Sequence, residues 1–344
     1  MAKPILILKF GTASITSANG ELDETVIAEI CRQVAAIHRQ YNLVIVSSGA
    51  VAAGKKYLKN YRGTLNEKKA AASIGNPLLL NVYSRYFLPY GISIAQSLCE
   101  RHHFSNRDQF LQLKRTYEEL WANNIIPVAN ENDVVSNLEL KFSDNDELAT
   151  LIAVGFGASH LLFSTSVPGV LDGSGEVIRE LDTTDKKVLL LANKEKSASG
   201  LGGMTSKLTF ARLANQMGIR VVIFGISTPD GILNTLEGQT GTLCLPQKSS
   251  LSARKKWLAS GSLVSGRIRI DAGALGALQK RHSLLAVGIT EVLSAFENGE
   301  IIEILDEGNS AVAVAKVKVS SAWLAVDLKK KNLEVAHADD IVLL

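Results

Sequence analysis

The residues best suited to chemistry in this sequence fall into short polar clusters, most of which close or follow an apolar run. Lys9-Phe10-Gly11-Thr12-Ala13 ends the first such run. A lysine closing a buried strand is costly unless it meets an anion, and a glycine beside it lets backbone amides approach a ligand; a lysine snorkelling from a strand end is the alternative. Ser47-Ser48-Gly49-Ala50 stands between an apolar run and a helical stretch. Free N–H groups there suit a carboxylate or phosphate, although an ordinary cap with a tight turn has the same composition. Asn130-Glu131-Asn132-Asp133 places four polar side chains beyond another apolar run. Asp133 could pair with the ammonium group of an amino acid while the asparagines fix its orientation; a solvated loop is the competing reading. Asp144-Asn145-Asp146 opens a helix that needs only one capping residue. The surplus could organise lysines and a magnesium-bound nucleotide. Finally, Gly200-Leu201-Gly202-Gly203-Met204-Thr205-Ser206-Lys207 feeds into a helix with a lysine in its first turn. That is a sound polyphosphate site, though it matches neither the Walker A nor the Rossmann pattern, and a flexible hinge would look similar.

Positioning such clusters together requires a sheet whose strand ends meet on one edge. Short apolar runs at 5–8, 43–46, 125–129, 161–163 and 221–224 read as strands. They alternate with helical patterns at 24–40, 51–58, 147–156 and 208–217. This alternation predicts an α/β fold, a three-layer αβα sandwich with a mainly parallel central sheet, whose ligands bind at the carboxyl ends of the strands. Near Leu245 the pattern changes. Short alternating runs at 267–270, 300–305, 311–319 and 340–343 replace the helices, with helical signal only at 273–280 and 320–326. The expected organisation is a first domain over 1–250, a linker over 251–265, and a small C-terminal β-barrel-like domain over 266–344.

A chain of 344 residues accommodates two domains, and 46% hydrophobic with 21% charged residues describes a soluble globular protein. The formal charge of +3 argues against a global nucleic-acid or membrane field. The last 79 residues carry a net charge of −2, so nucleic-acid binding by the small domain is not expected. Cys31, Cys99 and Cys244 lie far apart without metal-type spacing and read as free thiols of a reducing compartment. With no secretory leader and no membrane-spanning run, a cytoplasmic protein is expected. His102-His103 has no ligand-spaced partner and reads as a surface pair, so no metal-ligating residues are assigned. Lys329-Lys330-Lys331 reads as a solvated hairpin turn.

In this order, the KFGTA, SSGAVAAG, NENDVVS, KFSDNDELA and SGLGGMTSK segments resemble the amino acid kinase family, on its glutamate-phosphorylating branch. The C-terminal module resembles a PUA domain. The resemblance covers nearly the whole chain, and NEND and SDND are its most discriminating parts. It implies ATP-dependent phosphorylation of the γ-carboxylate of L-glutamate to glutamyl 5-phosphate, the entry to proline synthesis, with ATP as co-substrate and Mg2+. It further implies that Lys9 and Lys207 stabilise the transferring phosphoryl group and that Asp146 holds both lysines. Ser48, Gly49, Asp133 and Asn145 would bind glutamate. ATP would be met by Lys9, Gly11, Thr165 and Ser166, and by Gly202, Gly203, Met204, Thr205, Ser206 and Lys207. The chain departs from the resemblance at Ser166, where an aspartate is expected, and in a shorter glycine loop. Both departures lie on the nucleotide side.

Implied partners are glutamate, proline as a feedback inhibitor, a glutamyl phosphate reductase, and further copies of the chain in a homo-oligomer. Two alternatives remain open on the sequence. One is a related kinase acting on N-acetylglutamate, against which the acidic Asp133 argues; the other is a weakened nucleotide-binding regulator, motivated by Ser166 and the short loop.

Overall fold

Ile5–Phe10 (β1) is apolar except for Lys9, with every residue from Leu6 buried, and it forms the middle of an eight-stranded sheet. The computed structural model describes residues 3–134, 144–183, 203–246, 264–326 and 333–343. The chain divides into two compact units, Met1–Glu100 with Lys114–Ser249, and Arg101–Leu113 with Ser250–Leu344.

In the first unit, β1 is followed by α1 (Thr12–Ile15) and α2 (Glu24–Ile37). Asp23 starts α2 by accepting the Thr25 and Val26 backbone N–H groups. Ile27, Ile30, Cys31, Val34 and Ile37 then fall on one buried face at helical spacing. Next come β2 (Asn42–Ser47), α3 (Ala50–Gly54), α4 (Leu65–Phe87) and β3 (Ser93–Cys99). Thr64 and Glu67 form a reciprocal capping box at the start of α4. The short α5 (His102–Ser105) belongs to the second unit, and α6 (Arg107–Ala122) spans the division at Lys114. The first unit resumes through β4 (Ile125–Glu131), α7 (Asn145–Phe156), β5 (His160–Thr165) and β6 (Glu180–Leu181). It then forms α8 (Met204–Gln216), β7 (Arg220–Gly225), α9 (Gly231–Leu236) and β8 (Thr242–Cys244).

The strand order is β3-β4-β2-β1-β5-β7-β8-β6. Every pairing is parallel except β7 with β8. The expected mainly parallel sheet is therefore present, and its register sets Lys9 beside Val46 and Phe163, and Phe10 beside Ser47. The carboxyl ends of β1, β2 and β5 thus finish level with one another.

Two helices lie unusually close. A Cβ on Gly54 of α3 would fall 1.9 Å from the Ala71 carbonyl oxygen of α4, and one on Gly75 of α4 would fall 1.7 Å from the Ala50 carbonyl oxygen of α3. Only glycine permits this backbone-to-backbone contact. Neither α4 nor β3 is among the elements expected from the sequence.

The second unit has its own core, built around Ile268, Ile270, Phe296, Ile302, Ile304, Leu324 and Val335. It contains β9 (Val264–Ile270), α10 (Ala272–Gln279), β10 (Leu284–Leu285), β11 (Ile289–Val292), β12 (Ile301–Leu305) and β13 (Ala311–Lys316). It is completed by α11 (Ser321–Val326), β14 (Glu334–Ala336) and β15 (Ile341–Leu343). β11-β9-β12-β13-β15 form one sheet and β10-β14 a separate pair. The three cysteines are free and buried, and no helix among the described residues is long and apolar enough to cross a membrane. His102 and His103, expected at the surface, are half-buried in α5. The Lys329–Lys331 turn and nearly all of the 251–265 linker lie outside the described residues.

Candidate active site

Lys9 is the fifth residue of β1, and the strand holds it in the sheet at 4% exposure. α7 begins just past the carboxyl edge of the sheet and carries Asp146, fully buried, in its first turn. Lys207 sits in the first turn of α8 at 6% exposure. The Asp146 carboxylate joins them, with one oxygen 2.5 Å from Lys9 Nζ and the other 3.2 Å from Lys207 Nζ. Burial pushes the Asp146 carboxyl up, but the two ammonium groups outweigh it and hold the group below its ordinary value. Burial pushes Lys207 down, and Lys9 adds to this; the pull of Asp146 recovers only part of the shift, leaving Lys207 below 10.5. Two buried ammonium groups thus converge on one carboxylate, with Asp144 also acting on Lys207, an arrangement that can present both cations to a polyanion. Gly11 keeps this space open, since a Cβ there would lie 3.3 Å from Lys9 Nζ.

A second cluster is made of side-chain amides. Asn145, the first residue of α7, donates from Nδ2 to Ser48 Oγ at 2.8 Å and to Asn130 Oδ1 at 2.9 Å. Asn130 Oδ1 also accepts the Glu131 backbone N–H at 3.0 Å, and Asn130 Nδ2 donates to Asn76 Oδ1 of α4 at 3.0 Å. Asn145 Oδ1 is buried with no hydrogen-bond partner among the described residues. Ser48 is held by a backbone bond from its N–H to the Phe10 carbonyl at 2.9 Å. The preceding Ser47 bonds the buried Tyr83 hydroxyl of α4 at 3.0 Å. Gly49 follows at φ +103°, where a Cβ would also lie 2.9 Å from Ile15, so the turn needs glycine twice over.

The structure brings together Lys9, Asp146 and Lys207 directly, and Ser48 with Asn145 directly. Asp144 caps α7 by accepting the Asp146 and Glu147 N–H groups, and its other oxygen accepts the Ser206 hydroxyl at 2.5 Å. This bond ties the starts of α7 and α8 together. Thr205 and Met204 occupy the same first turn of α8, with Gly203 as its N-cap. Asp133 lies half-buried two residues past β4. Thr165 ends β5 opposite Gly225 of β7, and Ser166 after it is exposed. The structure does not join Thr165 or Ser166 to the lysine cluster, and Gly202 lies outside the described residues.

The sequence alone does not single out Asn76, Tyr83 or the second role of Asp144, and it suggests Asn130 only as an aid to Asp133. Asn130 stands inside a polar cluster, which is a usable signal. Asn76 gives no such signal, because a single polar residue within a helix is ordinary.

The profile of the amino acid kinase family matches residues 4–225, and that of the PUA domain matches residues 266–337. A glutamate 5-kinase from Photobacterium profundum is 34% identical, covering 99% of this chain and 97% of that protein. One from Kosmotoga olearia is 37% identical, covering 97% and 94%, and one from Thermotoga maritima is 35% identical, covering 93% and 90%. Among solved structures, carbamate kinase from Giardia lamblia bound to AMP-PNP superposes with a TM-score of 0.52 at 16% identity, covering 72% of this chain and 99% of that one. UMP kinase from Ureaplasma parvum gives 0.50 at 14%, covering 71% and 97%. These two likenesses concern the fold.

Proposed function

The chain belongs to the amino acid kinase family, and from that membership we propose how its buried lysines and amides divide the work of a glutamate kinase. The reaction is ATP-dependent phosphorylation of the L-glutamate γ-carboxylate to glutamyl 5-phosphate, the first step of proline biosynthesis. Similarity along nearly the full length to glutamate 5-kinases supports that substrate. The observation that carries the assignment of roles is Asp146, buried and shared by Lys9 and Lys207.

A γ-carboxylate is ionised at pH 7 and needs no general base. Its oxygen attacks the γ-phosphorus of ATP, the bond to the β,γ-bridging oxygen breaks, and the electron pair leaves with ADP. Lys9 and Lys207 neutralise charge on the transferring group, and Asp146 keeps both ammonium groups converged before ATP arrives. The acceptor oxygen of Asn145 and the carboxylate of Asp133 take the α-ammonium of glutamate, with Ser48 and Gly49 completing the pocket. Gly11, Thr165, Ser166 and the stretch 202–207 receive the nucleotide. Mg2+ fits as an ion carried in by the triphosphate. Asp146 is already engaged by two lysines, and among the described residues no three His, Cys, Asp or Glu side chains gather.

We assign residues 1–250 to the kinase domain and 266–344 to the PUA domain. Cytoplasmic residence, homo-oligomerisation, feedback by proline at the glutamate pocket, and transfer of the labile acyl phosphate to a reductase complete the proposal.

Trapping the acyl phosphate with hydroxylamine tests the reading. ATP-dependent hydroxamate from glutamate, with little from N-acetylglutamate, is the expected result. Preference for N-acetylglutamate, or nucleotide binding without turnover of either acid, would overturn it.

A further inference from the structure

We infer that Asn76 of α4 is a positioning residue that holds the polarity of the amino-acid pocket in place. It would do so through a three-amide relay, Asn76–Asn130–Asn145, that forces Asn145 to present an acceptor. This role rests on the glutamate-kinase reading and deepens it, because it names the feature that selects a free α-ammonium.

Each amide in the relay has two possible orientations, with opposite consequences. The choice starts at the Glu131 backbone N–H, which can only donate and points at Asn130 at 3.0 Å. Asn130 must therefore turn its oxygen to that N–H, which sends its Nδ2 to Asn76 Oδ1 at 3.0 Å. With Asn130 so turned, Asn145 can meet it only through Nδ2, at 2.9 Å. The one polar atom of Asn145 left over is Oδ1, buried and without a partner among the described residues. An orphan acceptor in a buried site is costly to leave unfilled, and a ligand ammonium fills it. A bare methylene does not, and an N-acyl amide offers one neutral N–H in place of three charged donors.

Asn76 matters because Asn130 Oδ1 is already saturated by two donors, so the rotamer of Asn130 is held from its other end. Asn76 is 6% exposed, and only its oxygen is used: Nδ2 of Asn76 has no partner among the described residues. An aspartate at this position keeps the needed acceptor; a leucine removes it, strands the buried Asn130 Nδ2 without a partner and leaves the Asn130 side chain anchored only at its oxygen end. The same helix bonds Ser47 through Tyr83, seven residues on and so on the same face. Both strand ends that carry the pocket are thus referenced to α4.

The test compares Asn76→Leu and Asn76→Asp with wild type in steady-state kinetics, using glutamate and glutarate, which lacks the α-amino group. For Asn76→Leu the glutamate KM rises roughly ten-fold or more, the ATP KM stays near wild type, and the preference for glutamate over glutarate collapses. Asn76→Asp retains most of the preference. Should the leucine variant fail to fold, Asn76→Ala is read in its place. Equal losses in the Leu and Asp variants, or an unchanged glutamate-to-glutarate ratio in the Leu variant, would overturn the relay. Absence of wild-type glutamate turnover would instead overturn the functional reading, and the relay's role with it.

Discussion

At the residue scale the centre of the molecule is Asp146, which is sealed from solvent and gives one oxygen to each of two lysines. Removing its charge leaves two buried ammonium groups facing each other. Asp146→Asn should therefore lower kcat by about 10²-fold or more and destabilise the fold by roughly 3 kcal/mol, read by steady-state kinetics and chemical denaturation. Lys207→Ala should lower kcat by about 10²–10³-fold with the glutamate KM little changed. A near-wild-type kcat would remove this lysine from the mechanism. Asp133→Ala should do the reverse, raising the glutamate KM while kcat stays close to wild type.

The lowered Lys207 pKa gives a pH signature. In the free enzyme its proton leaves below 10.5, so kcat/KM for ATP should fall on an alkaline limb below that value. A bound triphosphate favours the cation, so the limb in kcat should lie higher; coincident limbs would speak against the assignment. For Asp146 the sign is opposite. Its depressed pKa adds stability that is full above pH 3.8 and is lost as pH falls through the lower folded-state value. These charged residues were legible in the sequence because a lysine closing an apolar strand and a surplus of acids at a helix start are conspicuous. Asn76 was not, and Asn130 was visible only as a member of a polar cluster, because an amide's role depends on which of its two ends faces the neighbour.

At the element scale, legibility followed apolar patterning. β1, β2, β5 and β7 each contain a continuous apolar run, and α2 has a clear buried stripe, so all were visible. α4 was not, although it is the longest helix among the described residues, because its buried face is Ala71, Ala72, Gly75, Asn76, Leu79, Tyr83 and Phe87. Small residues hide the period in the helix's first half, which is held by backbone proximity to α3, while Leu79, Tyr83 and Phe87 pack into the core further on. Boundaries also shifted. β4 runs on to Glu131, so Asn130 is a strand residue rather than part of a loop. The glycine contact between α3 and α4 yields a prediction. Gly75→Ala must part the two helices, costing about 1–3 kcal/mol and raising the glutamate KM, because α3 starts directly at the Ser48–Gly49 turn. Thermal unfolding with glutamate titration would measure both, with Gly276→Ala in α10, where the backbone is helical and an added Cβ meets nothing within 4 Å, as the control for an added methyl without a clash.

At the scale of the whole molecule, composition anticipated two bodies, and the small one has its own apolar core. Several of its cations are spent locally. Arg267 pairs with Glu303, Arg269 with Glu291, and Lys318 with Glu334. With a net charge of −2 over the last 79 residues, it offers little to a phosphate backbone. The full chain should therefore show no steeply salt-dependent binding to single- or double-stranded RNA in a filter or anisotropy titration. A slope equivalent to several released counterions would contradict this.

The amide relay reaching back to α4 has a consequence for how such proteins diverge. A change of substrate can begin on a helix behind the pocket, at a residue that never meets the ligand. Two descendants could then keep identical pocket linings and still prefer different acids. Inventories of ligand-contacting residues would score them as equivalent, and the divergence would be recorded only in the scaffold.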